Sequence, residues 1–180
     1  MRALHYRLMA LPLAAMLSSC TTPYQEPAGS SLASIEFVND TAEVMGMQLY
    51  LDSTECTNRK SAGFVDPRRA RKVSILGRQN LGITVIMDAN RRTLPIALNG
   101  PMAGAIISHS EEACHPTINF APQVGHAYVF KARSDGKTCT FQFFERPSAN
   151  QRPDEEVAVE YTRRIWTKPM TESGAWCKKQ

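Results

Sequence analysis

His126-Ala127-Tyr128-Val129-Phe130-Lys131-Ala132-Arg133-Ser134-Asp135-Gly136-Lys137-Thr138-Cys139-Thr140-Phe141-Gln142-Phe143-Phe144-Glu145 is the stretch that decides the fold. Its outward run sets Ala127, Val129 and Lys131 on one face and Tyr128, Phe130 and Ala132 on the other. Ser134-Asp135-Gly136-Lys137 supplies turn chemistry, and the return run sets Cys139, Phe141 and Phe143 opposite Thr140, Gln142 and Phe144. A period of two on both sides of a turn predicts a β-hairpin with one buried face. Cys139 shares its face with two phenylalanines, which suits a buried structural disulfide.

The same period runs outward from this hairpin. Ile35 and Phe37 alternate with Ser34 and Glu36, and Met47, Leu49 and Leu51 with Gln48, Tyr50 and Asp52. Val73 and Ile75 alternate with Lys72 and Ser74, and Leu81, Ile83, Val85 and Met87 with Gly82, Thr84, Ile86 and Asp88. Leu94 to Leu98 and Ala105 to Ser108 are shorter candidates around an Asn99-Gly100-Pro101 turn, and Glu156 to Thr162 reads as a last strand. The polar stretches 53–63 and 146–155 read as loops. Roughly nine or ten short strands without a sustained helical period predict a single all-β sandwich over residues 33–180.

The chain begins differently. Arg2, His5 and Arg7 precede an apolar run, Leu8 to Leu17, that is too short to span a bilayer. Leu17-Ser18-Ser19-Cys20 follows and resembles the lipobox of bacterial lipoproteins. The resemblance implies that residues 1–19 are a cleaved signal peptide and that Cys20 carries the lipid. Residues 20–32, rich in Pro, Gly and Ser, then read as a flexible lipidated tether. Neither Thr21 nor Thr22 is the aspartate that resembles an inner-membrane retention signal, so the expected place is the outer membrane, on its periplasmic face.

Setting Cys20 aside leaves Cys56, Cys114, Cys139 and Cys177, an even set that reads as a disulfide framework in an exported chain. Three connectivities are open. Cys56–Cys114 with Cys139–Cys177 is the favoured one, closing the middle of the chain and pinning the tail. Cys114, Phe120, Pro122, Gly125, Tyr128 and Cys139 form a Cys-x5-Phe-x-Pro-x2-Gly-x2-Tyr-x10-Cys pattern. It is similar to one in small exported lipoproteins with immunoglobulin- or transthyretin-like sandwiches, which implies that architecture here.

Charge excludes little but is informative. The formal net charge of +4 includes Arg2 and Arg7, whose removal leaves 19 basic against 17 acidic side chains. That near balance argues against a nucleic-acid partner. Arg68, Arg69, Arg71 and Lys72 form the densest basic cluster and are the candidate contact for an anionic surface. Arg91-Arg92 and Arg163-Arg164 are smaller clusters.

Catalytic patterns are missing. There is no Gly-x-Ser-x-Gly elbow and no His-Glu-x-x-His. Glu111 and Glu112 are adjacent, so on a strand they face opposite ways, and Asp154-Glu155-Glu156 reads as a solvated loop. His109, His115 and His126 are the histidines beyond the leader, and no cofactor or metal is expected from them. Trp166 and Trp176 near Cys177 suggest a tail sewn onto the sandwich. The expected role is non-catalytic: a lipid-anchored envelope protein that binds or scaffolds. The alternatives are an inhibitor of an attacking hydrolase such as lysozyme, or an accessory lipoprotein of a secretion or envelope assembly. The type VI secretion lipoprotein has a comparable lipid-plus-sandwich plan.

Overall fold

The computed structural model describes residues 22–88, 113–134, 138–146 and 156–180. The leader, Cys20, the 94–98 and 105–108 strand candidates, Arg91, Arg92, His109, Glu111, Glu112 and the 135–137 turn lie outside them.

Twelve strands are described: β1 (Leu32–Asn39), β2 (Met45–Asp52), β3 (Thr57–Val65), β4 (Ala70–Leu76), β5 (Leu81–Asp88), β6 (Ala113–Cys114), β7 (Thr117–Phe120), β8 (Ala127–Ser134), β9 (Cys139–Glu145), β10 (Val157–Ala158), β11 (Thr162–Trp166) and β12 (Cys177–Lys179). They form a two-sheet sandwich. One sheet runs β10-β9-β8-β1-β4, and the other β12-β11-β7-β5-β2-β3 with β6 extending the β7 side of β5. All pairings between these strands are antiparallel except β1 with β8, and an isolated bridge of Pro23 to Ser61 is also parallel. Pro116 has no N–H to donate, and the ladder on β5 breaks there into β6 and β7.

The hairpin stands as read, with Phe130 opposite Phe143 and Ser134 opposite Cys139. Ile35, Phe37, Met47, Leu49, Ile83 and Phe130 are fully buried between the sheets. Phe120 meets Tyr128 and Phe143 edge-on, at 5.0 and 4.8 Å between centroids, a geometry favoured by the ring quadrupoles.

Four expectations need correction. First, residues 57–63, read as loop, belong to β3. Thr57-Asn58-Arg59-Lys60-Ser61 looks like loop because β3 is an edge strand, with a neighbour on one side only. A register shift near Met47/Gln48 leaves Ala62 without a partner beside Gly63, whose φ of 94° suits glycine.

Second, the last strand does not run from Glu156 to Thr162. Val157–Ala158 pairs with β9, Thr162–Arg164 pairs with β7, and the chain crosses between sheets at 159–161. Val159 and Tyr161 pack on the core there and close one side of the sandwich.

Third, part of the expected tether is bound. The Ser61 N–H donates to the Thr22 carbonyl at 2.9 Å, and the Tyr24 N–H donates to the Ser61 carbonyl at 2.7 Å. The Tyr24 hydroxyl donates to the Ser74 carbonyl at 3.0 Å, and Glu26 accepts the Ser74 N–H at 2.9 Å. Residues 22–26 are therefore a strap across β3 and β4, satisfying groups that two edge strands would otherwise leave open.

Fourth, the disulfides are Cys56–Cys177 and Cys114–Cys139, with Cα atoms 5.3 and 6.0 Å apart. The favoured Cys56–Cys114 pairing fails on distance. Cys56 lies in the β2–β3 turn beyond Tyr50, which is opposite Gly82, whereas Cys114 is opposite Met87. Five residues of β5 separate those levels, about 17 Å at strand rise, and a disulfide needs Cα atoms within about 7 Å. Cys114–Cys139 ties the two sheets together. Cys177 does pin the tail, but to the β2–β3 turn rather than to β9.

Candidate functional site

Two places gather polar chemistry. The first is the outer face of the β2/β5/β7 sheet. Gln48 and Tyr50 point there by the period of two, yet Tyr50 is 0% exposed and Gln48 nearly so. The tail covers Tyr50. Trp166, Trp176 and the Cys56–Cys177 bridge pack around Tyr50 as a second small core. His115 stacks on Trp166 at 3.8 Å with 6° between planes. The Arg59 guanidinium sits 3.8 Å over the Trp176 ring and pairs with Glu172.

Backbone bonds hold this cover down. The Trp176 N–H donates to Glu55 O at 3.1 Å, and Arg164 donates to the carbonyls of Ser53 and Thr54. Cys56 adopts φ 53°, a conformation unusual for a non-glycine residue, which turns its sulfur toward the tail. Burial pushes the Tyr50 phenol pKa up, and Thr84, Arg59 and Trp166 oppose that more weakly. Neither Thr84 nor Trp166 completes a hydrogen bond of ordinary geometry to its hydroxyl. The expectation that Trp166 and Trp176 sew the tail to the sandwich describes this arrangement.

The second place is a cleft of about 700 Å³ where the 158–162 crossing passes the ends of β7, β8 and β9. Asn119, Tyr128, Glu145, Glu160, Tyr161 and Arg164 line it, among others. Glu145 Oε1 is 2.7 Å from His126 Nδ1 just outside. The Tyr128 hydroxyl accepts the Gln123 N–H at 2.8 Å. Burial raises the Tyr128 phenol pKa, the Gln123 bond works against this, and the charge of Glu145 adds to it. The cleft thus offers donors, acceptors and ring faces in a space that suits a small ligand or a partner's loop. Glu145 and His126 form a carboxylate–imidazole pair. Among the described residues, no hydroxyl or thiol hydrogen-bonds to either as a nucleophile would.

Cys114 and the described histidines lie apart. Cys114 is in a disulfide, His115 lies under Trp166, and His126 belongs to the other sheet, so these three do not converge. Among the described residues no three His, Cys, Asp or Glu side chains cluster. Arg163 lies 5.2 Å over the Phe141 ring, and with Arg164 on the β2–β3 turn that pair serves the fold.

The Arg68, Arg69, Arg71 and Lys72 cluster occupies the β3–β4 turn and the start of β4. Arg68 pairs with Asp40 at 2.8 Å, and that bond holds the Asp40 carboxyl below the usual range. A Cβ at Gly63 would collide with the Arg71 guanidinium, so Arg71 crosses from one sheet edge to the other. The cleft residues were missed because each is an ordinary polar side chain until the strands meet. No family profile and no curated protein sequence matches the chain.

Proposed function

We propose that the chain is a lipid-anchored protein of the bacterial envelope whose sandwich binds a partner and catalyses nothing. The observation that carries the reading is the cysteine pairing. Cys56, Cys114, Cys139 and Cys177 are all consumed in two disulfides. Cys20 is left as the odd cysteine, directly after an apolar leader and small residues. Disulfides persist in oxidising compartments, which agrees with export. Cys20 takes the lipid, the outer membrane is the place, and the periplasmic face is the side. The cleft beside Glu145 and Tyr161 takes the ligand or the envelope partner, with binding groups present and, among the described residues, no nucleophile on the carboxylate–imidazole pair.

Metabolic labelling with an alkyne fatty acid tests the reading. The wild type should take up label and fractionate with outer membrane, and Cys20→Ala should lose both. Label on Cys20→Ala, or membrane retention without it, would refute the anchor.

A further inference from the structure

We propose that the β3/β4 edge, with the 22–26 strap laid across it, is the face that rests on an anionic lipid headgroup surface. The proposal depends on Cys20 being the acylated residue. The strap sets the distance. The Thr22 carbonyl is already bonded to Ser61 of β3, so Cys20 is two residues away, a reach of at most about 7 Å. The headgroup region of one leaflet is about 6 Å deep. A tether of a dozen free residues would let the sandwich hang clear of the bilayer. With two, the β3 side has no room to stand off.

The same edge carries the matching charge. Arg68 and Arg69 sit in the turn between β3 and β4, and Arg71 and Lys72 open β4. Lys60 precedes the residue that holds the strap, and Arg71 reaches over Gly63, two residues beyond it. Glu26, Glu36, Asp40 and Asp66 are the nearby carboxylates, against Lys60, Arg68, Arg69, Arg71 and Lys72; Glu36 lies opposite Lys72 but is also paired with Arg146, and Asp40 is shared by Arg68 and Arg133. Arg59, Arg163 and Arg164 contribute nothing here, being spent on Trp176, Phe141 and the β2–β3 turn.

Phe64 adds an apolar contact. It is 67% exposed on β3, with its ring over Gly46. Phe64 stands on the outward side of the same edge strand, next to the Gly63 that Arg71 crosses, and an exposed aromatic on an edge that also carries cations is what an interfacial lipid contact uses.

Brominated-lipid quenching decides the matter. The mature lipidated protein is placed in phosphatidylglycerol-containing vesicles with bromine near the headgroup end of the acyl chains. Phe64→Trp is compared with Thr140→Trp on β9, three strands or about 14 Å from β4 in its sheet, after subtracting the parent's two tryptophans. Phe64→Trp should be quenched at least about twofold more than Thr140→Trp. Adding Arg69→Glu and Lys72→Glu should cut that quenching. Equal quenching at the two positions, or none at Phe64→Trp on protein with verified acyl mass, would overturn the proposed face while leaving the anchor standing. Protein without acyl mass would overturn the anchor and this face together.

Discussion

The β2/β5/β7 sheet has two buried faces, and they are built on different principles. The inner face is aliphatic: Met47, Leu49, Ile83 and Ile118 are fully buried against the opposite sheet. Each side chain there exchanges water for close-packed carbon, and no polar atom needs a partner. The outer face carries Gln48, Tyr50, Thr84 and Thr117, and Tyr50 is covered from far along the chain by Trp166 and Trp176, with Arg59 and His115 packed against those rings. Thr84 and Thr117 bond to each other at 2.7 Å, while the Tyr50 hydroxyl and Gln48 Oε1 find no partner among the described residues. Apolar burial closes the first face. The second is held shut by a disulfide.

Removing that disulfide should therefore have the largest effect. Cys56 and Cys177 are 121 residues apart, and Cys114 and Cys139 are 25 apart. Loop entropy alone gives upper figures of about 4.9 and about 3.5 kcal/mol. Urea unfolding of the double alanine variants should rank them in that order. For the Cys56/Cys177 variant, indole emission should shift red before the strand signal is lost, because the cover over Tyr50 opens first. Simultaneous loss of both signals would mean that the outer face is not a separate unit.

Ile83→Ala comes next, at about 3 kcal/mol for a cavity in the inner face. Tyr50→Phe should be far milder, between neutral and about 1 kcal/mol stabilising, since it deletes a buried hydroxyl without a bond to lose. The pair makes a direct contrast between the faces, read by midpoint shifts in the same urea titration. A cost above about 2 kcal/mol for Tyr50→Phe would show that the hydroxyl is hydrogen-bonded.

The last effect appears only in alkali and is absent at neutral pH. Burial, helped by Glu26, pushes the Tyr24 phenol up to about 12, and burial raises Tyr50 and Tyr128 as well. A phenol that titrates later when folded keeps its proton while the unfolded chain loses it. Stability is then unaffected by these groups below about pH 10 and falls between about 10 and 12. Phenolate absorbance should appear late, and Tyr24→Phe should remove part of the drop. Stability that rises through this window would contradict the buried strap.

What could be read beforehand follows the same division. The 126–145 hairpin, Ile35/Phe37 and Leu81 to Met87 were legible because one face of each meets an apolar sheet, and a period of two records that. Gln48 and Tyr50 look like a solvated face, since their cover lies more than a hundred residues downstream in Trp166 and Trp176. β3 hid because an edge strand tolerates Asn58, Arg59 and Lys60. The strap at 22–26 hid because prolines and backbone bonds to Ser61 and Ser74 leave no side-chain period. Connectivity of the cysteines and the cleft at Asn119, Glu145 and Glu160 depend on which strand ends meet, a property of topology rather than of any local segment.

Mass mapping of the protein extracted from envelopes, unreduced and digested, tests the central claim most directly. The account predicts two linked peptide pairs, Cys56 with Cys177 and Cys114 with Cys139, and an N-terminal peptide beginning at an acylated Cys20. A free or disulfide-bonded Cys20, or a Cys56–Cys114 link, would contradict it.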